Sequence, residues 1–386
     1  MSAPRTTVVF HLSETSGPFR DLELELDWIA EAEALEVIVP GPGEVADAFG
    51  PPARVTTLSY SATTAPKGPV GLARAARRLA GEARVFRAHL REGRPDLVVV
   101  ATTTLPAAVA AARLERIPTL VYAAEIWPGG RSVRARGTAV AIAVQRSLAS
   151  SIVACSATVA RQFERGDAPV PIVYPPITDE FSAGDGPGFR TRHGIPQEGP
   201  CIVSVGNITH GRGQDVLIRA LPLIRDAFPS ARCAIVGSAL PRAKDVAFRG
   251  RLPALAHELD VANAVTLTGF ADRVADAYAA ADVVVNPARV PESFGRAACE
   301  ALVAERPVVA TGVGAVPEVL RDGETAILVP PEDPRSLAEA VVGLLRDRAA
   351  SEWLASSGRR EVLERFAPER SRAAMRRVIE GVAGGS

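Results

Sequence analysis

Two carboxylates set the chemistry open to this chain. Glu292 and Glu300 stand in the stretch Asn286-Pro-Ala-Arg-Val-Pro-Glu292-Ser-Phe-Gly-Arg-Ala-Ala-Cys-Glu300-Ala-Leu302, with seven residues between them. The apolar run Asp282-Val-Val-Val285 before it reads as a buried strand. After Ser293, the residues Phe294, Ala297, Ala298, Ala301 and Leu302 recur at helical spacing. The pattern puts Glu292 in the loop at a strand's carboxyl end and Glu300 about two turns into the following helix. At a helical rise of about 1.5 Å per residue the two acids are roughly 12 Å apart. A pair acting on one glycosidic bond needs roughly 5–10 Å, so this spacing suits two grips on one long ligand. Ser293 is the expected N-cap, and the free N–H groups after it form an anion site between the grips. A ligand with hydroxyls, a diphosphate and more hydroxyls fits that layout, as in a nucleotide sugar.

A second phosphate site is expected upstream. The strand Cys201-Ile-Val-Ser-Val205 runs into Gly206-Asn207-Ile-Thr-His210-Gly-Arg212-Gly213 and then a helix pattern. Glycine lets the backbone approach a ligand, and the helix start supplies N–H donors. Arg212 brings a charge that can grip phosphate in a bidentate fashion. Asn207 brings none, and His210 is a further donor.

These residues carry a resemblance. Pro-Glu292-x-Phe-Gly, Glu300-Ala-Leu and Arg306-Pro-Val-Val-Ala-Thr311 are similar to the Glu-x7-Glu region of retaining glycosyltransferases of family 4. The resemblance implies an α/β GT-B architecture: two Rossmann-like domains facing a central cleft, with a C-terminal helix crossing back to the N-domain. It implies that Glu292 faces the donor hexose and Glu300 holds the ribose hydroxyls. The Ser293, Phe294 and Gly295 segment lies against sugar and phosphates, and Gly269 and Phe270 lie beside the base. Gly206, Asn207, His210, Arg212 and Gly237 complete the donor side. The family's Gly-Arg-x4-Lys-Gly loop has two cations, whereas this chain has Asn207 at the first position and Arg212 at the second. Many members also carry a His after the strand matching Thr119–Ala123. Here the chain reads Tyr122-Ala-Ala-Glu125, and Glu125 is the nearest polar candidate. Of the family's first Gly-rich loop only Ser16-Gly17 remains. Catalytic candidates are therefore Glu292, Arg212 and Glu125, with Ser16, Gly17 and Glu125 on the acceptor side. No metal and no cofactor are expected beyond a UDP- or GDP-linked sugar as co-substrate.

The elements that must position these residues are short apolar runs alternating with helical segments: Thr6–His11, Leu35–Val39, Leu97–Ala101, Thr119–Ala123 and Ile152–Cys155. Such alternation predicts parallel sheets with helices on both faces, and ligands at the strands' carboxyl ends. There Thr102 to Thr104, Glu125 and Ser156 stand beside Ser16 and Gly17. A Pro- and Gly-rich stretch over 175–200 divides the chain. The expected domains are 1–185, 186–365 and a returning helix within 366–386.

Composition narrows the partners. Lys plus Arg equals Asp plus Glu at 44 each among 386 residues, so no global charge points to nucleic acid. The four cysteines are scattered without a Cys-x-x-Cys pair, which reads as buried reduced thiols. No secretory signal is evident, and the apolar run Ala139–Val144 cannot span a bilayer; a cytoplasmic location is expected. Residues 72–94 place Leu72, Ala76, Leu79, Ala83, Phe86 and Leu90 on one helix face. Arg74, Arg77, Arg78, Arg84, Arg87, Arg91 and Arg94 lie opposite, with Arg131, Arg134 and Arg136 as a second cluster. The face is either a solvated surface or a peripheral contact with anionic lipid at the inner face of the membrane. Two other functions share the architecture: a sugar-nucleotide 2-epimerase, for which no matching His and carboxylate set is found, and a non-catalytic nucleotide-sugar binding partner.

Overall fold

Buried parallel strands need continuous apolar runs, because both faces are covered by helices. In the computed structural model, which describes residues 3–12, 17–32, 34–49, 52–62, 68–127, 142–164 and 169–384, the runs in question form two such sheets. The first contains β1 (Thr6–Val9), β2 (Leu35–Val39), β3 (Arg54–Thr57), β4 (Leu97–Val100), β5 (Thr119–Ala123) and β6 (Ser151–Ala154), in the order β3-β2-β1-β4-β5-β6. Every pairing is parallel. Leu97–Val100 and Thr119–Ala123 are buried throughout.

The second sheet contains β7 (Cys201–Val205), β8 (Arg232–Val236), β9 (Val265–Gly269), β10 (Val283–Asn286), β11 (Val308–Thr311) and β12 (Ile327–Val329), in the order β12-β11-β10-β7-β8-β9. It too is parallel. The chain leaves β7 outward through β8 and β9, then returns to β10 on the other side of β7. Strand order therefore reverses between β7 and β10, and the crevice beyond their carboxyl ends is where a ligand of such a sheet binds. The loops after these two strands carry Arg212 and Glu292.

The chain divides into two compact units, 1–176 with 368–386 and 177–367. The first boundary falls after Pro176, ahead of the expected 185/186. The reason is packing of the intervening residues onto the second unit. The Asp185 N–H donates to Asp276 Oδ1 at 2.9 Å, and Arg190 donates to Ala280 O and pairs with Asp282 at 2.9 Å. The last helix, Pro368–Gly384, belongs to the first unit. Met375 and Ile379 are fully buried in the first core, Ser371 Oγ donates to Tyr174 O at 2.6 Å, and Arg372 pairs with Asp27.

Candidate active site

The loop after β10 does not become a helix at Ser293. The helix is Arg296–Val303, with Gly295 as N-cap at φ 96° and no side-chain cap. The N-cap expected at Ser293 is corrected accordingly, since a left-handed turn at Gly295 begins the helix instead. Glu300 stands just over one turn in, and residues 292–295 are not helical, so the 12 Å spacing from helical rise does not apply. Phe294 turns its ring into the core, edge-on to Phe366 with centroids 5.0 Å apart, which leaves its backbone as the part able to meet a ligand.

Glu300 is buried and held from two sides. The Tyr278 hydroxyl donates to Oε2 at 2.9 Å, and Arg296 Nε lies 3.2 Å from Oε1. Burial and the neighbouring Glu300 charge push the Tyr278 phenol well above its ordinary pKa, so it stays a donor. Glu292 is buried in a different way. One oxygen, Oε2, lies 2.9 Å from Arg212 Nη1, while Oε1 is buried without a hydrogen-bond partner. A buried carboxylate oxygen lacking a donor is costly unless a ligand supplies one. The backbone of Glu292 is fixed by Ala315, whose N–H donates to Glu292 O at 2.8 Å. Gly314, at φ +64°, passes so close that a Cβ there would lie 2.3 Å from Glu292 O and 2.4 Å from its N.

Arg212 sits in the loop after β7. The Gln214–Ala227 helix follows it, with Gly213 as a left-handed N-cap at φ 70°. A Cβ on Gly213 would lie 1.9 Å from Pro287 O, so the loops after β7 and β10 touch at this point. Gln214 Nε2 donates to Asn207 O at 3.1 Å. Asn207 and His210 are exposed, and the His210 ring packs edge-on against Phe248 with centroids 5.7 Å apart. Beside them, after β8 and β9, the Gly237 N–H donates to Gly269 O at 2.7 Å. Phe270 is 75% exposed at the end of β9, a free aromatic face able to stack a planar ring. The second unit thus gathers Gly206, Asn207, His210, Arg212, Gly237, Gly269, Phe270 and the 292–300 segment at the carboxyl edge of one sheet.

In the first unit, Glu125 follows β5. Its carboxylate accepts from the Thr102 hydroxyl, from Thr103 Oγ1 at 2.9 Å, and from the N–H groups of Thr103 and Ala124 at 3.3 Å. It therefore braces the loops after β4 and β5. Ser156 caps the helix after β6 by accepting from Val159 N at 3.2 Å. Gly17 opens the Gly17–Glu25 helix. Ser16, Arg131, Arg134 and Arg136 lie outside the described residues.

Sequence reasoning passed over His11 as part of the first strand. It lies just beyond β1, and its Nδ1 is buried with no partner. Burial lowers its pKa, with the Glu125 charge acting in the opposite sense. A base whose pKa falls on folding adds stability above its unfolded value of about 6.5. That stability is lost as pH drops through the range beneath it. Between about pH 6.5 and 5 the melting temperature of the wild-type protein should therefore fall more steeply than that of His11→Gln. Equal slopes for the two proteins would contradict this.

The comparisons agree with the geometry. Two parallel six-stranded sheets with flanking helices are the GT-B arrangement of glycosyltransferases. Residues 199–347 match the family of glycosyl transferases group 1. That segment contains the loops after β7 through β11. An uncharacterized glycosyltransferase of Methanocaldococcus jannaschii is 33% identical over 180 residues, covering 46% of this chain and 44% of that protein. A D-inositol 3-phosphate glycosyltransferase of Xylanimonas cellulosilytica is 34% identical over 203 residues, covering 52% and 46%. The chain thus spans about half the length of the curated relatives it matches. Among solved structures, Anabaena HepE in complex with UDP and glucose superposes with a TM-score of 0.82 at 19% identity, over 98% of this chain and 99% of that one. The sucrose-phosphate synthase of Thermosynechococcus elongatus gives a TM-score of 0.76 at 20% identity, over 99% of both.

Proposed function

We propose that this chain is a retaining glycosyltransferase of family 4 that moves a hexose from a nucleoside-diphosphate donor to an acceptor hydroxyl. The observation that carries the proposal is the Arg212–Glu292 pair at the strand-order reversal, with Glu292 Oε1 buried and unpartnered. In this reading a sugar hydroxyl donates to Oε1, and Arg212 turns from Glu292 to the diphosphate. Glu300, held by Tyr278 and Arg296, accepts from the ribose hydroxyls, and Phe270 stacks on the base. As the bond from the anomeric carbon to the β-phosphate oxygen breaks, negative charge grows on the departing diphosphate. Arg212 and the N–H groups near Gly206 and Gly295 stabilise that charge in place of a metal ion. The acceptor oxygen bonds to the same face of the anomeric carbon, and its proton passes to the departing phosphate.

UDP-glucose is the first donor to try, since HepE holds UDP and glucose. The match to the curated relatives covers about half of this chain and less than half of each of them, so the acceptor in the name of the D-inositol 3-phosphate glycosyltransferase does not carry over. Acceptor contact is assigned to Gly17 and Glu125 in the first unit, with Ser16 beside them in sequence. A thermal-shift screen of UDP-, GDP- and dTDP-hexoses tests the proposal. One donor should raise the melting temperature by mass action, and no response to any of them would end it.

A peripheral membrane contact is part of the same proposal. Among the described residues no helix is long and apolar enough to cross a membrane. The basic face expected over 72–94 is narrower than its sequence suggests. Arg78 is engaged by Glu82 and Ser61, and Arg87 and Arg91 by Glu115. Arg74, Arg77 and Arg84 are exposed on the Gly68–Gly93 helix and make no ion pair among the described residues. Changing these three to Ala should weaken the affinity for phosphatidylglycerol vesicles, read by co-sedimentation, about 100-fold, each cation contributing about 1 kcal/mol near an anionic surface. Unchanged sedimentation would remove the contact.

A further inference from the structure

We propose that Arg289 is a positioning residue that sets Arg212 and Glu292 against each other; this rests on the reading of Arg212 as the cation that meets the ligand's diphosphate. Arg289 lies three residues before Glu292 in the loop after β10, and its side chain is only 12% exposed. Four of its five guanidinium N–H donors are bonded to protein. Nη1 and Nη2 grip the two oxygens of Asp215 at 2.5 and 2.7 Å, Nη1 also donates to His210 O at 3.0 Å, and Nε donates to Glu332 Oε1 at 3.0 Å. The backbone adds to this, because Arg289 N donates to Gly211 O at 2.8 Å and Val290 N to the same oxygen at 3.3 Å.

These partners bracket Arg212 in the chain. His210 and Gly211 precede it, and Asp215 follows it. One buried side chain therefore ties down both ends of the segment that carries the exposed cation. The same residue starts the turn that delivers Glu292 to that cation. With four of the five N–H donors of the Arg289 guanidinium bonded to protein and the side chain only 12% exposed, it offers a ligand little and its effect passes through Arg212. Lysine cannot reproduce the role, since an ammonium lacks the planar fork that binds Asp215 through two parallel bonds. Asp215 lies in the first turn of the Gln214–Ala227 helix, where the helix dipole stabilises a carboxylate left alone. Loss of Arg289 is thus expected to loosen the loop without unfolding the unit.

The test compares wild type, Arg289→Ala, Arg289→Lys, Asp215→Ala and the Asp215→Ala/Arg289→Ala double variant by two measurements. The first is amide hydrogen exchange in the ligand-free protein. Exchange over residues 207–214 should be at least about tenfold faster in Arg289→Ala, equivalent to 1.4 kcal/mol of local opening, and unchanged in the strands. The second is calorimetric titration with UDP. The Kd should rise about tenfold in Arg289→Ala, less in Arg289→Lys, and no further in the double variant than in Arg289→Ala. Unchanged exchange over 207–214, or UDP affinity restored fully by Arg289→Lys, would overturn the proposal. Faster exchange in Arg289→Ala with a wild-type protein that binds no UDP or GDP would keep the clamp and end the donor reading instead.

Discussion

Arg212→Ala is expected to lower kcat by about 100- to 1000-fold, the usual consequence of removing one group that stabilises transition-state charge. The resemblance that points to a two-cation loop leaves this chain with Asn207 where the first cation would stand, so in the proposed reading Arg212 has to supply the neutralisation that two residues share elsewhere. The effect should fall on kcat more than on donor binding, because the charge on the departing diphosphate peaks as the bond breaks. A stability effect accompanies it. Glu292 is 8% exposed and would lose its one ion-pair partner among the described residues, leaving both oxygens buried without a donor there. Arg212 itself is 38% exposed, so water relieves part of that loss. Arg212→Ala should therefore melt a few degrees below wild type. Arg212→Ala/Glu292→Gln should recover the melting temperature while staying inactive. Arg212→Lys should fall between, keeping the charge without the fork. Turnover by Arg212→Ala within threefold of wild type would remove Arg212 from the reaction.

Gly314→Ala is expected to lower activity by about 100-fold, because an error near 1 Å in a positioned group has effects of that size. The cause is steric. A new Cβ would sit 2.3 and 2.4 Å from the backbone oxygen and nitrogen of Glu292, and the neighbours are main chain rather than a flexible side-chain tip. Backbone at φ +64° adds about 1–2 kcal/mol for any residue with a Cβ. Together these should destabilise the protein by about 2–4 kcal/mol, read as a lower denaturation midpoint. The variant separates placement of Glu292 from its chemistry, since the carboxylate remains. If Gly314→Ala turns over like wild type, the position of Glu292 against Gly314 does not matter to function.

Much of this arrangement was legible in the chain. The core strands declare themselves because a strand covered on both faces is a continuous apolar run. β3 does not, since Arg54–Thr57 is a half-exposed edge strand with a polar sequence. The loops bearing Arg212 and Glu292, and the helix bearing Glu300, could be placed because each follows such a run. Their local geometry was less accessible. Ser293 has the chemistry of an N-cap, but Gly295 takes the left-handed turn that starts the helix. On the basic face over 72–94, the pairing of Arg87 and Arg91 with Glu115 was not legible, because Glu115 lies at the boundary of another helix, far along the chain. The residues that hold the site together were hidden for one reason: their partners are remote. Arg289 meets Asp215 across 74 positions and Tyr278 meets Glu300 across 22, separations that no local periodicity reveals. His11 was hidden differently, since a lone histidine at a strand end gives no sign that its Nδ1 will be buried without a partner.

The most direct measurement is a calorimetric titration of wild type, Glu292→Ala and Glu300→Ala with UDP and with UDP-glucose. If the two acids hold opposite ends of the donor, Glu300→Ala should weaken both ligands by about tenfold or more, whereas Glu292→Ala should weaken UDP-glucose and leave UDP unchanged, the lost hydrogen bond to a charged group being worth about 1.5–3 kcal/mol. Affinities that fall equally for both ligands in both variants, or that do not change in either, would contradict the assignment of the two carboxylates.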